Sequence, residues 1–155
     1  MAIKLIVVGK TSTPYLVEGE KEYLKRLGKY TRLTYIELPN FKQATKWTPE
    51  QLKKEEGKLI LSKLKSTDWV ILLDERGKEF NSVGFAKELE KITAHQASVV
   101  FVIGGAFGFS DELYKRASQK LAISQMTLSH RMIRLFFLEQ LYRAYTILRG
   151  ESYHH

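Results

Sequence analysis

Three stretches of this chain are apolar at nearly every position: residues 3–8 (IKLIVV), 69–74 (WVILLD) and 99–103 (VVFVI). A strand with one wet face alternates apolar and polar residues. A strand covered on both faces does not, and cover on both faces is the condition of a parallel sheet with helices on each side. The runs therefore restrict the chain to an α/β architecture. Two further strands are expected at residues 33–38 (LTYIEL), where the alternation is partial, and 121–124.

Helix signals fill the intervals. Thr13 stands where a cap belongs, Pro14 at the first helical position and Gly28 at the stop. Thr48, Pro49 and Gln51 form a capping box that opens a helix running to about Lys65. Asn81 or Ser82 caps a helix ending near His95, whose ring is expected to meet terminal carbonyls. Ser110 caps a short helix with Asp111 and Glu112 in its first turn, and a long one spans Met132 to Leu148. Strands alternating with helices give the fold class as α/β, a parallel sheet with flanking helices, in a single domain over residues 1–155.

At 155 residues no second core is needed. No apolar run reaches the ~18 residues of a membrane span, no cleavage pattern follows the first strand, and there is no cysteine. A soluble cytoplasmic protein without disulfides is expected. The net charge of +8 is unevenly placed: up to Lys65, 14 Lys and Arg stand against 7 Asp and Glu, while the other 90 residues carry 11 against 10. Such a field suits a nucleic-acid partner, and it equally suits a solvated lysine face.

The first strand ends in Gly9-Lys10-Thr11, the tail of a phosphate-binding loop, but Lys4 stands where that motif needs its first glycine. A nucleoside triphosphatase is excluded on that ground. Phe41 and Trp47 lie in a polar, basic loop, where they either stack on unpaired bases or pin the loop to the body. Residues 74–78 (DERGK) read as a charged turn after the third strand.

Ligands of open α/β sheets collect at the carboxyl ends of the strands. Two loops arrive there. Gly104, Gly105 and Gly108 follow the fourth strand, but the spacing is not GxGxxG, so a dinucleotide fold is not indicated. Ile123, Ser124, Gln125, Met126, Thr127 and Leu128 follow the fifth, offering main-chain groups suited to an adenine or a thioether and no metal-ligand spacing. His130 and Arg134 stand one helical turn apart, as do Glu139 and Arg143, whose plainest reading is an intrahelical ion pair. The final helix is apolar nearly all round, and in so short a chain one of its sides is expected to pack on a second copy, as a homodimer.

The stretches FVIGGAFGF, LAISQMTLSHRMIRLFFLEQLYRAYTILRGESYH and LLDERGK resemble the SPOUT-class methyltransferases of the RlmH type over essentially the whole chain. The resemblance implies a deep trefoil knot in the C-terminal part, a homodimer, and S-adenosylmethionine as cofactor. It also implies methylation of N3 of a pseudouridine in 23S ribosomal RNA, in assembled ribosomes. Cofactor contacts would fall on Leu73, Gly104 and residues 123–128. His130, Arg134, Glu139, Arg143, Tyr153 and His154 match the polar positions near the RNA, with Arg134, Arg143 and His154 as a basic cluster favouring the imide anion and His154 as proton acceptor. Ser129 replaces the family's common proline, a position where a fixed φ would stiffen the loop. A SPOUT enzyme acting on another nucleotide, such as a transfer-RNA ribose 2′-OH, and a non-catalytic ribosome-binding module are the alternatives.

Overall fold

In the computed structural model, which describes residues 2–155, the three apolar runs form the interior of one five-stranded sheet. Strands β1 (Ala2–Val8), β2 (Leu33–Leu38), β3 (Trp69–Glu79), β4 (Ser98–Ile103) and β5 (Gln119–Ala122) lie in the order β2-β1-β4-β3-β5, with every pairing parallel. Helices α1 (Pro14–Leu27), α2 (Pro49–Leu61), α3 (Ser82–His95) and α4 (Asp111–Arg116) make the crossovers, and α5 (Met132–Leu148) follows β5. The fold is the expected α/β class.

Successive strand residues point to opposite faces. Ile3, Leu5, Ile71, Val99 and Phe101 meet Leu27 of α1, Leu89 of α3 and Phe137 and Leu141 of α5. Ile6, Val70, Leu72, Val100 and Val102 meet Ile60 of α2 and Leu113 of α4. Both sides of the interior strands are dry, which is why their sequences do not alternate. No helix among the described residues is long and apolar enough to cross a membrane.

Several boundaries differ from the expectation. The charged segment 74–78 is not a turn: β3 bulges after Leu73 and pairs again at Lys78 with Leu121 and at Glu79 with Ala122. A Cβ on Gly77 would lie 2.7 Å from the backbone of Lys120 and Leu121, so only glycine lets the bulge close against β5. The fifth strand starts at Gln119, two residues early, because its partner is this extended β3. α2 stops at Leu61, where the Ser62 hydroxyl bonds the Leu59 carbonyl at 2.6 Å and competes with the helix. Thr13 does occupy the first cap position, yet its side chain makes no cap bond; its carbonyl accepts from Leu16 and Val17 instead. Thr48, Asn81 and Ser110 cap as expected. His95 meets the Lys91 carbonyl at 2.8 Å.

Candidate functional site

The carboxyl ends of β3, β4 and β5 surround a cleft of about 1120 Å³. Leu73, Gly104, Ile123, Ser124, Met126, Thr127 and Leu128 all line it, whereas the exposed Gln125 is not part of its wall. His130 and Ser129 line it as well.

The glycine turn is shaped by what surrounds it. A Cβ at Gly104 would sit 3.1 Å from the Phe109 ring and 3.2 Å from the Gly108 carbonyl. Gly108 takes φ +85°, and its N–H donates to the Gly105 carbonyl at 3.2 Å, so the turn doubles back on itself. Behind it, the buried Glu56 carboxylate lies against Gly105; burial raises its pKa. The second loop is braced by its own hydroxyls. Ser124 accepts from the Met126 N–H at 3.0 Å, Thr127 donates to Glu75 on the β3 bulge at 2.7 Å, and Ser129 accepts from the Arg131 N–H at 3.3 Å. The Ser129 hydroxyl thus supplies a local bond where a proline would have supplied rigidity. Among the described residues, the amides of Gln125, Thr127 and Leu128 have no acceptor within the chain.

The charged residues of the β3 bulge enter the cleft too. Asp74, only 7% exposed, accepts from Tyr114 Oη and from the Arg76 amide, and Arg76 donates to Tyr114 Oη at 2.5 Å. Burial opposes the charge of Asp74, but these donors prevail and hold its pKa below the ordinary carboxylate value. Tyr114 was not singled out by pattern; the only signal was a hydroxyl-bearing ring one turn into a helix that leaves the glycine turn. His130 is half-buried, and burial, reinforced by Arg131 and Arg134, lowers its pKa.

The polar positions His130, Arg134, Glu139, Arg143, Tyr153 and His154 do not form one group. Arg134 is fully buried and donates to the carbonyls of Val8 at 2.6 Å and Gly9 at 2.7 Å and to Thr11 Oγ1 at 2.9 Å. It lies apart from Arg143 and His154. A second group is built on Glu139, whose Oε1 accepts from Arg143 at 2.6 and 3.1 Å and from Tyr153 Oη at 3.0 Å. Arg143 also meets His154 Nδ1 at 3.1 Å. Glu139 and Arg143 do form the intrahelical pair, extended here into a hub. Tyr23 of α1 joins it, its hydroxyl 3.1 Å from that of Tyr153. The Tyr23 ring packs against the core while its hydroxyl finds this polar partner. Burial first, then Tyr23 and Glu139, keep the Tyr153 hydroxyl protonated far above its usual range. None of Glu139, Arg143, Tyr153 and His154 lines the cleft of its own chain.

Phe41 and Trp47 pack on each other, ring centroids 5.3 Å apart, across a single 3-10 turn at Ala44–Lys46. No group of three or more metal-ligating side chains occurs among the described residues.

The sequence model of a family described as "Predicted SPOUT methyltransferase" matches residues 1–154. The curated "Ribosomal RNA large subunit methyltransferase H" of Flavobacterium johnsoniae is 51% identical, the alignment covering 100% of this chain and 99% of that protein. The protein of the same name from Cytophaga hutchinsonii is 50% identical, with 100% of both chains covered. A solved structure of a probable methylase family protein from Haemophilus influenzae superposes with a TM-score of 0.53 at 16% identity, over 99% of this chain and 70% of that one, and shares the fold.

Proposed function

Because this chain belongs to the SPOUT methyltransferase family, we propose that it methylates large-subunit ribosomal RNA with a methyl donor held in the cleft between β3, β4 and β5. The observation that carries this is the cleft itself: a folded-back glycine turn facing a hydroxyl-braced loop at the carboxyl edge of a parallel sheet. We take the donor to be S-adenosylmethionine and the target to be N3 of a pseudouridine in 23S ribosomal RNA. The free amides of Thr127 and Leu128 suit the edge of an adenine, and the apolar side chains of Leu73, Ile123 and Leu128 suit its faces. The C-terminal knot of the family goes with a chain that leaves edge strand β5 and then fixes α5 to the end of β1 through Arg134.

When bound, the donor supplies an electrophilic methyl group on a sulfonium, and transfer to nitrogen is an in-line displacement that depends on alignment. The imide must lose its proton. His154 accepts it at Nδ1, the nitrogen that takes the Arg143 donor at rest and gives that bond up for the proton, while Arg143, still fixed by Glu139, turns its freed donor to the developing anion. Arg134 acts on this chemistry through position only. It fastens the turn that carries His130, whose carbonyl accepts from Arg134 Nε at 3.1 Å. Because the Glu139 hub lies outside its own cleft, the working form is a homodimer in which the tail of one protomer faces the cleft of its partner. Tyr15 on α1 and Met132 and Phe136 on α5, exposed at 63%, 38% and 46%, supply an apolar surface for it. A cytoplasmic location follows from a ribosomal substrate.

The test is mass spectrometry of 23S ribosomal RNA fragments from cells with and without the gene. A single methyl missing from a pseudouridine is expected, and an unchanged methylation pattern overturns the reading. Calorimetry with S-adenosylmethionine separates the enzyme from a non-catalytic module, which would bind ribosomes and no donor. Light scattering at micromolar concentration is expected to give a dimer.

A further inference from the structure

The ends of α1 and α5 meet on a surface that shares no residue with the cleft. Both ends are basic. Lys25 and Arg26 occupy the last turn of α1, Lys29 and Arg32 follow it, and Arg149 closes α5. Between them lies a layer of tyrosine rings: Tyr30 and Tyr145 stack at 5.7 Å and 7°, and Tyr142 stands 5.9 Å from Tyr30 and 5.8 Å from Tyr23. The guanidinium of Arg149 lies 5.4 Å from the Tyr30 centroid, and that of Arg26 lies 5.3 Å from Tyr23 and 5.6 Å from Tyr142. A groove of about 570 Å³ adjoins, with Lys29, Tyr30 and Arg32 in its wall.

We propose that this arginine-on-tyrosine surface is where the protein grips the backbone of its RNA, an inference that rests on the ribosomal RNA substrate proposed above. A guanidinium resting on a ring keeps its planar donors at the outer edge, in the geometry that a phosphate accepts. Two carboxylates stand beside it, Glu22 on Arg26 at 2.8 Å and Glu151 on the Tyr30 hydroxyl at 2.6 Å. Against them are five cations, Lys25, Arg26, Lys29, Arg32 and Arg149, so the surface keeps a surplus of three positive charges. The surface also leads somewhere. Tyr142 packs edge-on against Tyr153 at 4.8 Å, so a strand held here runs directly into the Glu139, Arg143 and His154 group. Lys25, Arg26, Lys29 and Arg32, part of the basic excess of the first 65 residues, are gathered here.

The test uses the full-length protein and a short hairpin cut from large-subunit ribosomal RNA, with binding followed by fluorescence anisotropy across a potassium chloride series. Each phosphate neutralised contributes about 0.7 to 0.9 to the slope of log K against log salt. The triple variant Arg26→Ala, Lys29→Ala, Arg32→Ala is expected to lose at least about tenfold in affinity and to flatten the slope by about 2. Its affinity for S-adenosylmethionine should match the wild type, which shows that the fold is kept. Arg149→Ala should flatten the slope by about 1. A triple variant with wild-type affinity and slope overturns the platform, as does one that loses affinity for anionic lipid vesicles and none for RNA. Binding is read apart from methyl transfer, so the two proposals fail separately. A wild type that shows the lysine- and arginine-dependent slope yet methylates no ribosomal RNA supports the platform and overturns the enzyme's assignment.

Discussion

The guanidinium of Arg134 donates at 2.6 Å to the carbonyl of Val8, a residue 126 positions away in sequence. The bond fastens the first turn of α5 to the end of β1, and Gly9 and Thr11 both accept from Nη1 of the same group. Burial lowers the pKa of Arg134, but an arginine stays charged at any pH at which the protein is folded.

Truncation at this position leaves buried acceptors without donors, each worth about 1–3 kcal/mol. Arg134→Ala is therefore expected to lose at least about 3 kcal/mol of stability, and Arg134→Lys to recover part of it. Urea denaturation measures both. A variant as stable as the parent would show that the bonds to β1 carry no weight.

Gly77 and Gly105 have the same clearance and differ in what they touch. Alanine at Gly77 meets the β5 backbone at 2.7 Å, which moves only if the ladder with β3 opens, at a cost of about 1–3 kcal/mol. Alanine at Gly105 meets the Glu56 carboxylate at 2.7 Å, the end of a side chain that can swing away. Gly77→Ala should thus lower the melting temperature more than Gly105→Ala. Equal effects would contradict the close packing of the bulge.

Glu56 predicts a pH dependence. Its folded pKa is raised by burial above the unfolded value of about 4.3, so the folded state holds this proton more tightly. The stability it contributes is lost as pH rises from the unfolded pKa towards the folded one, and it stays lost above. Glu56→Gln should then be more stable than the wild type at neutral pH and no different below about pH 4. Chemical denaturation at the two pH values decides it, a pH-independent difference being the contrary result.

Glu139→Gln tests the hub. The amide keeps the shape but replaces the charge that orders Arg143, and with it His154. Single-turnover methyl transfer to ribosomal RNA should fall by about tenfold to a hundredfold, while calorimetry shows unchanged donor affinity. A loss of donor affinity instead would place Glu139 at the cofactor.

Much of this molecule was legible in its sequence. Periodicity and caps are set by residues a few positions apart, so the runs IKLIVV, WVILLD and VVFVI, the capping box at Thr48 and the glycine turn announced strands, helices and the strand ends where the cleft lies. Tertiary structure alone decided what depends on distant partners. Asp74 to Lys78 carries the composition of a turn, and only Leu121 and Ala122 make its end a strand. Arg134 looks like any charged residue one turn from His130, and only the end of β1 buries it. The strand order β2-β1-β4-β3-β5, the placing of Tyr23 beside Tyr153 and the gathering of the basic residues around tyrosine rings were likewise settled there. The physical reason is that a residue's local pattern is fixed by its neighbours in the chain. Its hydrogen-bond partner is fixed by whichever group the packed sheet and helices bring within 3 Å of it.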